Sequence, residues 1–163
     1  MNYFLFGGAT NVGKTEAVVR IAHYLLGKGF CDILKPSSIP QLNQQQTDFK
    51  AVMDGVDRNG KNVRFIINSA ADIEQNIDAL SVFCQTNAPY HAVISAIRCE
   101  GHCSNMRQYF WAKLGIGQSD TVVEIPMASI SANHNNWVDI RQWYKDGVDE
   151  ITHLLLRNSP FHV

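Results

Sequence analysis

The 163-residue chain carries 14 lysines and arginines, 15 aspartates and glutamates, and 45% hydrophobic residues. This length is typical of one domain, predicted to span residues 1–163, with enough apolar content to bury a core. The net charge is near zero and no basic run or long apolar stretch occurs, so we expect neither nucleic-acid binding nor a membrane span. Met1 leads directly into an apolar segment without a signal peptide, which predicts a cytoplasmic protein with reduced cysteines.

The most informative stretch is a G-x-x-x-x-G-K-T motif followed by Glu16, and its residues are Gly8, Ala9, Thr10, Asn11, Val12, Gly13, Lys14 and Thr15. In such a loop backbone N–H groups wrap phosphates, and the glycines allow the close approach. The spacing predicts that Lys14 reaches the outer phosphates and that the Thr15 hydroxyl binds Mg²⁺. The positive end of the following helix also favours an anion.

The flanks of this loop fit a strand and a helix. Residues 2–6 are short, apolar and aromatic, as expected of a buried strand. Gly27 and Gly29 predict where the helix ends, and its apolar face consists of Val18, Ile21, Ala22 and Leu25. Strand, glycine loop and amphipathic helix in this order are the context that supports a phosphate-binding loop.

Over residues 2–27 the chain resembles the P-loop NTPase superfamily, matching it at Gly8, Gly13, Lys14 and Thr15. The resemblance implies an α/β fold, a three-layer α/β/α sandwich with a mostly parallel sheet. It also implies binding of ATP or another nucleoside triphosphate with Mg²⁺. The reaction stays open, because the superfamily includes kinases, GTPase switches, motor ATPases and ligases.

The next segments predict one strand, one loop and one hairpin. Residues 30–35 form a short strand, and the polar residues 37–46 form a loop that either covers the nucleotide or is an ordinary solvated connection. Residues 48–68 predict an antiparallel hairpin, with a turn at Asn59-Gly60 and the first arm nearer the sheet edge. A strand pair in this position resembles the arrangement in small GTPases.

The remaining elements are two strands, over residues 90–97 and 121–125, and three helices. The first helix is predicted to begin at Asp72, with a periodic apolar face of Ile73, Ile77, Leu80 and Cys84. The second runs from a Ser104 cap to Leu114. The third has its periodic face at Trp137, Ile140, Tyr144, Val148, Ile151 and Leu155. Its aromatic residues, including Trp143, leave a partner-binding face open, although we favour packing against the core alone.

The P-loop resemblance implies a second carboxylate at the tip of a neighbouring strand, where it would hold Mg²⁺ through water. The strand over residues 63–67 ends instead at Asn68, and the nearest acid is Asp72. Asp72 is therefore our candidate for catalysis and for the metal, although with Gln75 it also forms a capping-box pattern. Asp48 is the rival carboxylate, for which we favour a solvated position at the strand entry.

Arg98 follows the strand over residues 90–97, at an edge that lines the ligand crevice of open parallel sheets. A guanidinium there would stabilise charge on a transferring phosphoryl group, or it pairs with Glu100 at the surface. The Asn-Lys-x-Asp pattern of GTP-specific superfamily members is absent from residues 95–98, which favours ATP. Zinc-type ligands also occur, at Cys99, His102 and Cys103, without a second pair to complete a structural site.

Three functions remain open at this point. The first is an ATP-binding protein with Mg²⁺-dependent phosphohydrolase or switch-like activity. The second is a small-molecule or nucleotide kinase, in which Arg98, Arg107 and Lys113 would belong to a lid. The third is a non-catalytic nucleotide-binding or assembly module with an unidentified protein partner, favoured by the amide at Asn68.

Overall fold

The computed structural model describes residues 1–35, 37–42, 47–98, 105–128 and 137–163, with side chains from residue 140 in the last segment. The described strands are β1 (Asn2–Gly8), β2 (Cys31–Asp32), β3 (Lys50–Val56), β4 (Asn62–Asn68), β5 (Ala92–Arg98) and β6 (Thr121–Pro126). The helices are α1 (Lys14–Gly27), α2 (Glu74–Thr86), α3 (Met106–Leu114) and α4 (Trp137–Arg157).

The six strands form one mixed sheet in the order β2-β3-β4-β5-β1-β6. Strands β4, β5, β1 and β6 run parallel, whereas β2 and β3 are antiparallel to their neighbours. The α/β class is therefore confirmed. The hairpin is also confirmed, with β3 nearer the sheet edge than β4.

Both faces of the sheet are covered by helices, as the side chains of β1 illustrate. Phe4 and Phe6 belong to the buried cluster that includes residues of α1 and α4. Tyr3 and Leu5 belong to the other cluster, with residues of α2 and α3. Successive side chains of a strand point to opposite faces, so the apolar run of β1 is what burial on both faces requires.

The helix predicted after the glycine loop is confirmed as α1. Its predicted apolar face is buried, with Val18, Ile21, Ala22 and Leu25 each no more than 2% exposed. The helix ends at Gly27, and Gly29 adopts a left-handed φ of 89°. The local pattern was sufficient to predict this helix because its apolar residues are spaced i, i+3, i+4 and i+7, which places them on one face.

The strand predicted over residues 30–35 is wrong in length, since β2 holds only two residues. The carboxylate of Asp32 accepts hydrogen bonds from the backbone N–H of Leu34 at 3.1 Å and from Ser37 Oγ at 2.6 Å. An aspartate that bonds the backbone two residues ahead forms a turn. The extended segment therefore stops at Asp32.

The start of α2 differs from the prediction in two ways. The helix begins at Glu74 rather than Asp72, and no side chain caps it, so the predicted capping box of Asp72 and Gln75 is not formed. Ile73 occupies the extended position before the first turn and is 45% exposed. Its prediction as part of the periodic helix face is wrong because it precedes the helix.

The face that α4 buries also differs from the prediction. Val148 and Leu156 are buried, but Ile140 is 38% exposed, Ile151 52% and Trp143 75%. The predicted periodic face is therefore only partly buried, and the choice between packing against the core alone and binding a partner stays a prediction. Ion pairs from α1 to α4 orient the polar side of α4 towards α1, which leaves these apolar side chains outside.

Some predictions lie outside the described residues, namely the Ser104 cap, the middle of the polar loop at residues 43–46 and the side chain of Trp137. The next helix, α3, ends at Leu114 as predicted.

Cys31 and Cys84 are free thiols. No helix in the described part of the chain combines the length and the apolar character needed to cross a bilayer.

Candidate functional site

One edge of the sheet collects the residues singled out in the sequence. Gly8 at the end of β1 pairs with Arg98 at the end of β5, and Asn68 ends the neighbouring parallel strand β4. Because β3 runs antiparallel, its first residue Lys50 pairs with Asn68 at the same edge. Asp48, two residues before Lys50, is thereby brought to the ends of the parallel strands.

A cavity of about 660 Å³ opens at this edge. Its walls are the glycine loop and the start of α1, residues 69–72 and residues 96–98. Three further side chains complete the lining, and these are Leu42, Asp48 and Arg141. The predicted residues Lys14, Thr15, Asp72 and Arg98 thus share one cavity, whose size is ordinary for a small-molecule site.

The glycine loop contains a turn with two residues in the left-handed region of backbone conformation. Asn11 and Gly13 adopt left-handed φ angles of 64° and 90°, and turns of this kind form concave rows of backbone N–H groups. Gly8 is required by packing, because a Cβ atom there would lie 2.8 Å from the carbonyl oxygen of Met127. The close approach of the residue after β6 therefore explains the first motif glycine.

The Lys14 side chain lies across the loop. Its Nζ donates to the carbonyl oxygen of Gly8 at 2.9 Å and also to that of Ala9. A hydrogen bond from an ammonium group to an anionic oxygen is stronger than one to a neutral carbonyl oxygen. Lys14 is thus bonded to the first two residues of the loop.

Asp48 is the carboxylate that faces the motif threonine. Thr15 Oγ1 lies 3.4 Å from Asp48 Oδ1 and 3.4 Å from the carbonyl oxygen of Ser69. Ser69 Oγ lies 3.3 Å from the same carboxylate oxygen. Asp48 is exposed, as the sequence suggested, and it also lies beside the motif threonine, as its interpretation as the rival carboxylate requires. The antiparallel direction of the hairpin was the signal that points to it.

Asp72 and Arg98 occupy another wall of the cavity. Arg98 Nη2 lies 3.7 Å from Asp72 Oδ2, and Asp72 Oδ1 accepts a hydrogen bond from Asn76 Nδ2 at 2.8 Å. Arg98 therefore pairs with Asp72, whereas the predicted partner Glu100 lies outside the described residues. Among the residues that the structure describes, Asp48 rather than Asp72 reaches Thr15.

Asn68, which stands where the resemblance implies an aspartate, is fully buried. Its Nδ2 donates to the carbonyl oxygen of Ala70 at 2.7 Å and to Ser95 Oγ at 3.0 Å. These bonds anchor residues 69–72 against β5. Asn68 thus shapes the cavity wall without lining the cavity.

Arg141 on α4 was not singled out by the sequence. It lines the main cavity and also a second one of about 220 Å³ on the other side of the glycine loop. Met127 and Tyr144 form part of that second lining, and Tyr144 Oη accepts a hydrogen bond from the Ala128 N–H at 2.7 Å. The sequence offered only the i, i+4 spacing of Arg141 and Lys145 as a signal.

The zinc-type ligands Cys99, His102 and Cys103 lie outside the described residues. Within the described ranges, no group of three or more His, Cys, Asp or Glu side chains is arranged to hold a metal ion. A Mg²⁺ ion needs fewer protein ligands, because it retains several waters and also binds phosphate oxygens.

Comparison with known proteins adds no family to this description. No protein-family model, curated protein or solved structure matches the chain. A function for the protein therefore has to be inferred from the residues of the cavity.

Proposed function

We propose that the protein binds a nucleoside triphosphate, ATP rather than GTP, together with Mg²⁺ in the main cavity. The proposal rests on the position of the glycine loop. Residues of this loop line the main cavity, together with Lys14 and Thr15. Loop, lysine, hydroxyl and helix start are the set of groups that phosphate binding requires. The P-loop resemblance of residues 2–27 supports the same ligand.

The binding step draws on groups that already lie in the loop. Lys14 exchanges the carbonyl oxygens of Gly8 and Ala9 for phosphate oxygens. Each charge-assisted hydrogen bond formed in this way contributes about 1.5–3 kcal/mol. The start of α1 adds its dipole, because its first N–H groups have no partner within the helix.

The Thr15 hydroxyl and the Asp48 carboxylate would hold Mg²⁺, because both are oxygen ligands of the kind it prefers. When bound there, the ion would neutralise charge on the phosphate oxygens. Asp72 remains the alternative ligand, but it would have to give up its contacts with Arg98 and Asn76 to bind the ion. The fold holds the Thr15 hydroxyl oxygen 3.4 Å from a carboxylate oxygen of Asp48, beside the glycine loop.

For the reaction we propose Mg²⁺-dependent phosphohydrolase or switch-like activity. Asp48 and Ser69 are the polar groups beside Thr15 that would orient a water near the outer phosphates. A small-molecule kinase is the second candidate. It is favoured by the extent of the cavity, which reaches Ile97 and Arg98 and so offers room for a second substrate.

The test is binding and turnover of Mg-ATP by the full chain, measured by calorimetry and by release of free phosphate. Lys14→Ala should weaken ATP binding about 100-fold, the effect of losing one or two charged hydrogen bonds. Lys28→Ala, at the opposite end of α1 and outside the main cavity, should leave the affinity unchanged.

Four outcomes separate the candidates. Phosphate release by the protein alone supports the phosphohydrolase, and transfer that requires an added metabolite pool supports the kinase. Thermal stabilisation by ATP without turnover indicates a non-catalytic binding module, because a ligand of the folded state raises its stability. If ATP, GTP, CTP and UTP all fail to bind or stabilise the protein, the proposed function is wrong.

A further inference from the structure

The first turn of α1 carries a carboxylate surrounded by cations. Glu16 lies 3.3 Å from Arg20 of its own helix, and from α4 it receives Lys145 at 2.5 Å and Arg141 at 3.7 Å. Arg20 also pairs with Asp149 at 2.7 Å. Among the described side chains of this cluster, three cations therefore face two carboxylates beside the glycine loop.

Arg141 is the most weakly held member of this cluster. Its 3.7 Å separation from Glu16 exceeds hydrogen-bond distance, while Lys145 and Arg20 lie closer to the same carboxylate. The Arg141 side chain is 54% exposed, against 23% for Lys145 and 17% for Arg20. Arg141 also lines both the main and the second cavity. Its guanidinium can thus move towards a ligand at low cost.

We propose that Arg141 is a nucleotide-binding residue, which exchanges the shared carboxylate of Glu16 for the phosphate chain of the nucleotide. The inference rests on the proposed function and adds a residue from a distant part of the chain to that site. A guanidinium binds phosphate oxygens in a bidentate manner at about 2.7–2.9 Å. A carboxylate that already holds two other cations competes poorly with such a ligand.

The exchange gives Glu16 a defined role. In the free protein it holds Arg141 beside the loop, and its own negative charge opposes the approach of a phosphate. When Arg141 moves to the nucleotide, Lys145 and Arg20 remain to neutralise Glu16. The nucleotide then contacts α1 through the loop and α4 through Arg141, so binding links the two helices.

The experiment compares Mg-ATP binding by wild-type protein, Arg141→Gln, Glu16→Gln and the double variant. Arg141→Gln should weaken binding about 10- to 100-fold, as expected for lost hydrogen bonds between charged groups. Glu16→Gln should tighten binding in the presence of Arg141, and this gain should shrink in the Arg141→Gln background. Arg157→Gln, an exposed arginine in the last turn of the same helix, is the matched control and should bind like wild type.

Tripolyphosphate serves as a second probe, because it carries the phosphate chain without the nucleoside. A similar fold loss for ATP and tripolyphosphate in Arg141→Gln supports contact with phosphates. A loss confined to ATP would place Arg141 against the nucleoside and overturn the inference. Arg141→Lys keeps the charge without the fork and should bind ATP with intermediate affinity, which provides a test if Arg141→Gln fails to fold.

Two further results have distinct meanings. If Arg141→Gln lowers the melting temperature but binds ATP as tightly as Arg157→Gln does, Arg141 only joins α4 to α1 and the inference is wrong. If wild-type protein binds no nucleotide and Lys14→Ala changes nothing, the proposed function itself fails. The two failures are therefore distinguishable in one set of titrations.

Discussion

At the scale of single residues, the two candidate metal carboxylates differ in what already holds them. Asp72 is engaged by Arg98 and by Asn76. Asp48 has hydroxyl neighbours, and its oxygen lies 3.4 Å from Thr15 Oγ1. Carboxylate and hydroxyl oxygens are ligands of the kind that Mg²⁺ prefers. In the proposed function, Asp48 and Thr15 are therefore the two residues that would hold Mg²⁺.

We predict that Asp48→Asn raises the Mg²⁺ concentration required for half-maximal ATP binding or turnover by about 10-fold or more. An amide oxygen carries no charge and is a weaker ligand for this hard cation. Asp72→Asn, the matched change on the other wall, should alter the requirement by less than about 3-fold. The measurement is a Mg²⁺ titration at fixed ATP concentration, and the reverse order of the two variants would identify Asp72 as the ligand.

At the scale of elements, α4 illustrates how tertiary contacts choose the buried face of a helix. Leu154 is 60% exposed, whereas Leu156 is completely buried. The apolar pattern allowed more than one rotation of the helix about its axis. Ion pairs of Arg20 with Asp149 and of Glu16 with Lys145 fix the side that faces α1.

The two leucines of α4 provide a matched pair of variants. We predict that Leu156→Ala lowers the free energy of unfolding by about 2–5 kcal/mol, because it leaves a cavity in the core. Leu154→Ala should change it by no more than about 0.5 kcal/mol. Chemical denaturation followed by circular dichroism measures both, and equal losses would contradict the described rotation of α4.

At the scale of the whole molecule, partnered carboxylates lie at well-separated places. Asp54 on β3 forms a bidentate pair with Arg64 on β4, with both separations at 2.7 Å. Hydrogen bonds from Lys113 lower the pKa of Asp78, and the N-terminal ammonium group lowers the pKa of Asp120. The Arg64 side chain, through its hydrogen bonds, likewise holds the pKa of Asp54 below its ordinary value of 3.8.

The sign of the resulting pH dependence follows from these lowered pKa values. A carboxylate with a lower pKa in the folded state binds fewer protons than in the unfolded state, so its stabilisation is present above the ordinary pKa and is lost on acidification. We predict that Asp54→Asn lowers the free energy of unfolding at pH 7 by about 0.5–1 kcal/mol, a small value because water screens this partly exposed pair.

The difference between wild type and Asp54→Asn should shrink as the pH falls below 3.8, the ordinary pKa of the carboxyl group, towards its lower folded-state value. Urea unfolding at a series of pH values measures this difference. If the difference in free energy of unfolding stays constant down to the lowest pH at which the protein folds, the Asp54–Arg64 pair contributes nothing through its charge.

The sequence by itself was sufficient to predict the features that depend on residues close together in the chain. Strand β1, the glycine loop and α1 follow from such local patterns, as does the β3–β4 hairpin with its turn. Lys14 and Thr15 are consecutive in the motif, so the sequence alone places them together. Local backbone preferences and apolar periodicity act over these short distances.

Only the tertiary structure decided which distant residues join the glycine loop. The register of β3 against β4 brings Asp48 to Thr15, and the packing of α4 on α1 brings Arg141 to Glu16. Both contacts depend on strand register and helix rotation, which are set by the sum of many long-range contacts. No periodicity within a single segment encodes such a sum, so the sequence named Asp48 only as a rival carboxylate and did not single out Arg141.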